Sequence, residues 1–482
     1  MLRFLVTTAF LLVSAPTLIA GEMNPAAAAS DIELAREALQ TLHPGYDRYT
    51  PAGELDALWD ALEARAAGGI DRGTLYLELS RILAAIRCDH TKAELPKDMA
   101  EARSNTPVYL PFRFKLFANR MYVDVSGDAA LERGDEVIAI DGIEVSTWLA
   151  RVDPLIPVDG DTDATKPLII EYGTEFMGGA LDHFAPFLEP LAATASLRVR
   201  SANAEARTVE VDRIDYEAWQ ALTGEKRYSR NFDAALRFAT IGDDGAYLAV
   251  DTFVNYRRPV DAVEFLQPYF RRLKDEGRDK LIVDLRRNGG GSNDAQTALL
   301  RYLIRKPVLQ TEGLLTRFSA IPGSIRPHLD TWERAALDPD PAWFEATDDG
   351  YYRFVAGPPP APVDPLPDAF TGNLVILTSG VNASGVTHML ANLRTHGDIR
   401  FVGEKTGGAP TGATANILYY LTLPESGILV RVPAQRTLIA NRNALPARDG
   451  LAPDVAVTVT ADDWFADRDR VLEVATRTLG LE

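Results

Sequence analysis

NLVILTSGVNASGVTHM, residues 373–389, changes character twice within a few positions. Residues 374–378 are apolar or β-prone without alternation, which predicts a parallel strand buried on both faces. Ser379, Gly380 and Asn382 then break the run with residues suited to a tight turn. After Ala383 the spacing becomes helical, with Val386, Met389, Leu390 and Leu393 on one face. Ser384 is thereby expected at a strand-to-helix corner, where backbone N–H groups lack intrahelical partners and the positive dipole end points outward. A hydroxyl there suits a nucleophile, with the Gly385 N–H facing a developing oxyanion. It equally suits a simple helix cap, and without a G-x-S-x-G pattern the cap is the plainer local reading.

The flanking sequence repeats the strand–loop–helix theme. Residues 245–253 (GAYLAVDTF) read as a strand, 259–277 as an amphipathic helix and 280–286 (KLIVDLR) as a second strand. Arg287-Asn288-Gly289-Gly290-Gly291-Ser292 follows, ahead of a helix through Leu299, Leu300 and Leu303. Glycines at the carboxyl end of a parallel strand let N–H groups turn toward phosphate or an oxyanion. Neither G-x-G-x-x-G nor a P-loop lysine is present, so nucleotide binding is poorly supported. Residues 306–372 read as a long insertion or lid. Residues 400–412 form a strand and glycine loop, 417–434 a hairpin turning at Pro424–Gly427, 453–459 a strand, and Asp462 opens a final helix.

The chain of 482 residues is long enough for two to four domains. A net charge of −18 argues against electrostatic binding of nucleic acid or anionic lipid. Residues 1–20 pair Arg3 with an apolar run from Phe4 to Val13 and end in small residues, the pattern of an export leader; residues 1–29 are assigned to leader and linker. That run is short for a membrane span, so no span is expected after leader removal and the location is periplasmic or extracellular. Lone Cys88 excludes an internal disulfide. His43, His90, His183, His328, His388 and His396 form no metal-binding spacing with it, and no cofactor is expected.

Residues 30–104 read as a helical N-terminal domain. Ser30 and Glu33 form a possible capping box for its first helix, which ends at His43-Pro44-Gly45. Pro51 and Asp71 open two more helices. Directly after the last stands Arg87-Cys88-Asp89-His90-Thr91, with the imidazole beyond the buried stripe. Residues 105–215 read as a small β domain, with strands at 121–125, 137–140, 143–145, 195–200 and 207–214, a hairpin turn at Asp141-Gly142, and a helix-rich insertion at 153–192. It resembles a PDZ module, although Tyr109–Phe112 is only a weak carboxylate-binding loop.

LIVDLRRNGGGS, the N-A-S-G corner, FVGEKTGG, LPESGILVRVP and DGLAPDV stand in an order that resembles the S41 peptidase family, across essentially the whole chain after the leader. The resemblance implies an α/β fold: a ClpP/crotonase-like catalytic core over residues 216–482, with the inserted segment 306–372, a PDZ-like β domain and the N-terminal helical domain. It implies an exported serine endopeptidase acting on peptides or unfolded proteins. By the same resemblance Ser384 matches the nucleophile, and Gly385 with Gly290 or Gly291 matches the oxyanion hole. The processing-peptidase branch places a lysine base after the glycine loop, but Ala409 stands there, and Lys405 matches a non-catalytic position. Cys88-Asp89-His90-Thr91 instead resembles the D-G-H-T segment of members whose base is histidine, so His90 takes that role. Ala447 occupies the usual glutamate position, leaving Asp449 and Asp89 as possible third members. Thr387 replaces another frequent glutamate, and His388 and Cys88 are read as structural. The alternative is a non-catalytic ligand- or peptide-binding protein on the same scaffold. The sequence does not indicate an oligomeric state.

Overall fold

The computed structural model describes residues 21–172, 176–222, 231–395 and 399–481; the expected leader lies outside them. Three helices come first: α1 (Pro25–Leu42), α2 (Ala52–Ala66) and α3 (Arg72–Ala85). The first begins ahead of the expected Ser30 box. Pro25 occupies its first turn, where a missing N–H costs nothing, and Asn24 caps Ala26 N–H at 2.9 Å. Asp71 caps α3 by accepting from Thr74 N–H, as expected.

A five-stranded antiparallel path follows: β1 (Phe112–Phe117), β2 (Arg120–Ser126), β3 (Glu136–Ile140), β4 (Thr194–Arg200) and β5 (Arg207–Asp212), hydrogen-bonded in that order. The hairpin after β3 turns at Asp141 and Gly142, both at positive φ. Its return strand stops at Glu144, because Val145 begins a helix running to Val152 that buries Trp148. The helix-rich insertion contains helices Lys166–Tyr172 and Ala180–Leu188.

The central sheet is built from β6 (Leu236–Ile241), β7 (Gly245–Val250), β8 (Lys280–Asp284), β11 (Asn373–Thr378), β12 (Ile399–Gly403) and β15 (Val455–Ala456), in that spatial order. From β7 to β15 the strands run parallel. Both faces are covered, which explains the unbroken apolar runs. Leu281, Val283, Leu374 and Ile376 pack toward the helices Ala262–Asp275, Asn293–Leu303 and Ser384–Arg394. Ile282, Val375 and Leu377 pack on the opposite face with Val471 and Ala475 of the last long helix, Arg470–Thr478. The expected strand at 453–459 is reduced to the two residues of β15.

The segment at 306–372 is not a detached lid. Its strands β9 (Thr311–Thr316) and β10 (Tyr352–Phe354) enter a second, antiparallel sheet with β13 (Thr414–Thr422) and β14 (Leu429–Ile439), the expected hairpin. Ala93 and Glu94, just after His90, pair with Val430 and Leu429 of β14 and so tie the His90 segment to this sheet.

Candidate active site

The carboxyl ends of β7, β8, β11 and β12 converge, the region where open parallel sheets place their ligands. Two buried asparagines lock these ends together. Asn382, in the turn after β11, donates to Leu285 O at 2.6 Å and Asn288 O at 3.0 Å, and accepts from Ser379 N–H at 2.9 Å. Asn288 donates to Val250 O at 3.0 Å and accepts from Gly290 N–H at 2.9 Å.

Ser384 opens its helix at φ 51°, in the left-handed region that side chains other than Asn and Asp rarely adopt. Ala383, not Ser384, is the N-cap residue, and no side-chain cap bond forms. The cap reading therefore fails. A strained residue at a helix N-terminus, held by buried asparagines, is the kind of local cost that persists where chemistry requires it.

The glycine loop lies directly against this corner. A Cβ on Gly290 would stand 3.0 Å from Ser384 Cβ and 3.0 Å from Gly385 N, so only glycine fits without displacement. Of the three amides expected to face an oxyanion, that of Gly290 is engaged by Asn288. Those of Gly291 and Gly385 meet no acceptor among the described residues. The loop after β12 closes the corner from the other side, where Gly408 N–H donates to Asn382 O at 2.8 Å.

His90 follows α3 and is half-buried. Asp89 Oδ1 lies 2.6 Å from its Nδ1, a close ionic contact. Burial alone would lower the imidazole pKa, but the charge of Asp89, supported by Cys88, outweighs it and holds His90 well above its usual value. Cys88 is buried and directs its thiol toward Thr414 O. One potential ligand atom from each of Cys88, Asp89 and His90 lies within 4.8 Å of the others, a grouping the sequence spacing did not suggest.

A third carboxylate belongs to this group and had no sequence signal. Asp159 is buried, accepts from Ala409 N–H at 3.0 Å, and interacts electrostatically with Asp89 and His90. Burial, then the Asp89 charge, pushes its carboxyl up to about 7. Ala409, where a lysine base was absent, thus joins the Gly408 loop to the His90 group through its backbone.

The structure brings Ser384 together with Gly290, Gly291 and Gly385, and His90 together with Asp89. The Gly408–Ala409 loop touches both groups: Gly408 packs against Ala383 and Ser384, and Ala409 N–H reaches Asp159, which interacts with Asp89 and His90. Asp449 is turned away, forming an ion pair with Lys405 at 2.5 Å on the surface. His388, read as structural, holds the loop at Ala413 from the wall of a cavity. It lines a cavity of about 720 Å³ beside the Ser384 helix, together with Gln296 and Asn392. Its Nε2 accepts from Ala413 N–H at 3.0 Å, and burial, with the neighbouring His90 charge, brings its pKa down to about 4. His388 is therefore neutral near pH 7, with its proton on Nδ1.

Residues 244–457 match the model of peptidase family S41. That segment is S41-like in sequence. The match marks the protein as a serine peptidase, a hydrolase. Among solved structures, a Ser-to-Ala mutant of CPAF is similar at 13% identity and TM-score 0.64, covering 94% of this chain and 96% of that one. Mature CPAF is similar at 14% identity and TM-score 0.60, covering 91% and 94%. At such identities the likeness shows the fold. No curated protein sequence matches. Among the described residues of this S41 peptidase, no helix is long and apolar enough to cross a membrane.

Proposed function

We propose that this S41 peptidase is an exported endopeptidase that cleaves peptides or unfolded proteins, with Ser384 as nucleophile and His90 as base. The supporting observation is the Ser384 corner: a hydroxyl at a strained helix N-terminus beside two amides without intramolecular acceptors. Ser384 Oγ attacks the scissile carbonyl as His90 accepts its proton. The N–H groups of Gly385 and Gly291 receive the oxyanion, and His90 returns the proton to the leaving amine. Water then hydrolyses the acyl-enzyme through the same base. Asp89, beside Nδ1, orients and stabilises the imidazolium, a role that Asp449 is badly placed to share. The separation between Ser384 and His90 closes when substrate binds, since catalytic hydrogen bonds often tighten only in the Michaelis complex.

The β1–β5 region, in the PDZ-like role the sequence suggests, assists by holding substrate peptide, and the N-terminal helical domain carries the His90 segment to the core. Cleavage of unfolded casein by the mature chain tests the reading, with products identified by mass spectrometry. Ser384→Ala and His90→Ala each abolish cleavage if it is correct. Full activity in His90→Ala overturns the base assignment.

A further inference from the structure

The cavity beside the Ser384 helix continues along one face of the second sheet. Leu314 of β9 and Thr437 of β14 are registered partners, and both line it. Thr316 and Gln435, each two residues further along the same strands, line a second cavity of about 470 Å³. Residues two apart on a strand share a face and stand roughly 7 Å apart, so one sheet face floors both cavities. Phe354 and Ala356 line both and form a common wall. The two cavities are stretches of one trough leading away from Ser384.

The chemistry changes along the trough. Near the Ser384 helix its lining is rich in amide, hydroxyl and imidazole groups, among them Gln296, Asn392, Asn416 and His388. The far stretch is aromatic, with Phe318, Trp343, Phe344 and Tyr419 around Ile417. Phe318 stands 6.1 Å from Phe344 and 6.0 Å from Tyr419, ring to ring. The Tyr419 hydroxyl is already used, donating to Ala336 O at 2.5 Å, so its ring offers the trough an apolar face. Of the far lining residues only Glu333 carries a charge, and its side chain is exposed.

We propose that the aromatic stretch is a remote substrate subsite, which takes one bulky apolar side chain, aromatic or long aliphatic, of the polypeptide being cleaved at Ser384. The occupant is the substrate because the stretch is continuous, by shared wall and shared floor, with the cavity that His388 and Asn392 of the Ser384 helix line. Folded proteins bury such side chains whereas unfolded segments expose them. The subsite therefore selects unfolded protein, and it deepens the peptidase reading on which it rests.

The test uses two synthetic Gly/Ser/Ala peptides, one with a single Phe and a twin with Ser in its place. Binding is measured on the full chain carrying Ser384→Ala, so that it does not depend on catalysis. The Phe peptide binds about tenfold more tightly than its twin. Ile417→Asp, which charges the trough, and Ala335→Trp, which fills it from the exposed turn at Arg334–Leu337, each bring the ratio to about one while leaving the twin's affinity unchanged. A ratio of one in the parent chain, or a ratio untouched by both substitutions, overturns the subsite. A ratio that responds as described, in a chain whose wild-type form cleaves neither peptide nor casein, retains the subsite and rejects the catalytic assignment instead.

Discussion

Ser384 combines a hydroxyl with a left-handed backbone, and the two properties separate by substitution. Ser384→Gly removes both the hydroxyl and the steric cost, whereas Ser384→Ala removes only the hydroxyl. The glycine variant is expected to be about 1 kcal/mol more stable than the alanine variant in urea unfolding, with both inactive. His90 gives a second residue-level expectation. The proposed base role requires neutral imidazole, so kcat/KM is expected to rise with pH through the His90 pKa, and the Asp89 contact places that acid limb above 6.5. Asp89→Asn moves the limb to lower pH, which a pH profile of casein-peptide cleavage reads directly. Ser384 could be found in the sequence because turn residues and a change of hydrophobic period bracket it. Its positive φ could not, since the strain is imposed by the buried side chains of Asn382 and Asn288. Asp159 was equally hidden: among the acidic residues of PVDGDTD only the fold singles out the one facing Ala409 N–H.

The strands of the central sheet were legible because burial on both faces leaves an uninterrupted apolar run, as in β8 and β11. The strands β9 and β10 were not: Gly313 interrupts the first, the second has three residues, and both are defined by their partners more than by their own pattern. The elements around the corner depend on Asn382 for their spacing. Asn382→Ala strands the Ser379 N–H and removes the ties to the β8 loop, at an expected cost of about 2–4 kcal/mol in urea unfolding. It also lowers kcat more than it raises KM, because the Gly291 amide loses its fixed distance from Gly385. Gly408→Ala probes the opposite wall. A Cβ there would stand 2.7 Å from Thr387 Oγ1 and 2.9 Å from Ala383 Cα, so the substitution displaces the corner and reduces kcat at least tenfold.

Across the whole molecule, residues 159–161 join parts distant in sequence. Asp159 holds Ala409, Gly160 N–H donates to Arg87 O while its carbonyl accepts from Arg87 Nε, and Asp161 N–H donates to Arg448 O at 2.7 Å. An Asp in the unfolded chain loses its proton near 3.9, whereas folded Asp159 keeps its proton up to about 7. Between those values the unfolded state binds fewer protons, so this group makes stability fall as pH rises. Asp159→Asn retains an acceptor for Ala409 and lacks that loss. Its stability relative to wild type should therefore grow, by on the order of a few kcal/mol between pH 4 and pH 8 in urea titrations. The order of the parts along the chain was legible from their motifs, but this meeting point was not. It also means that the proposed base and nucleophile, one near the amino end and one near the carboxyl end, come together only after everything between them has docked. A partly synthesised, misfolded or clipped copy would carry one half of the chemistry without the other. In this arrangement the final fold itself acts as the safety catch on the proposed chemistry.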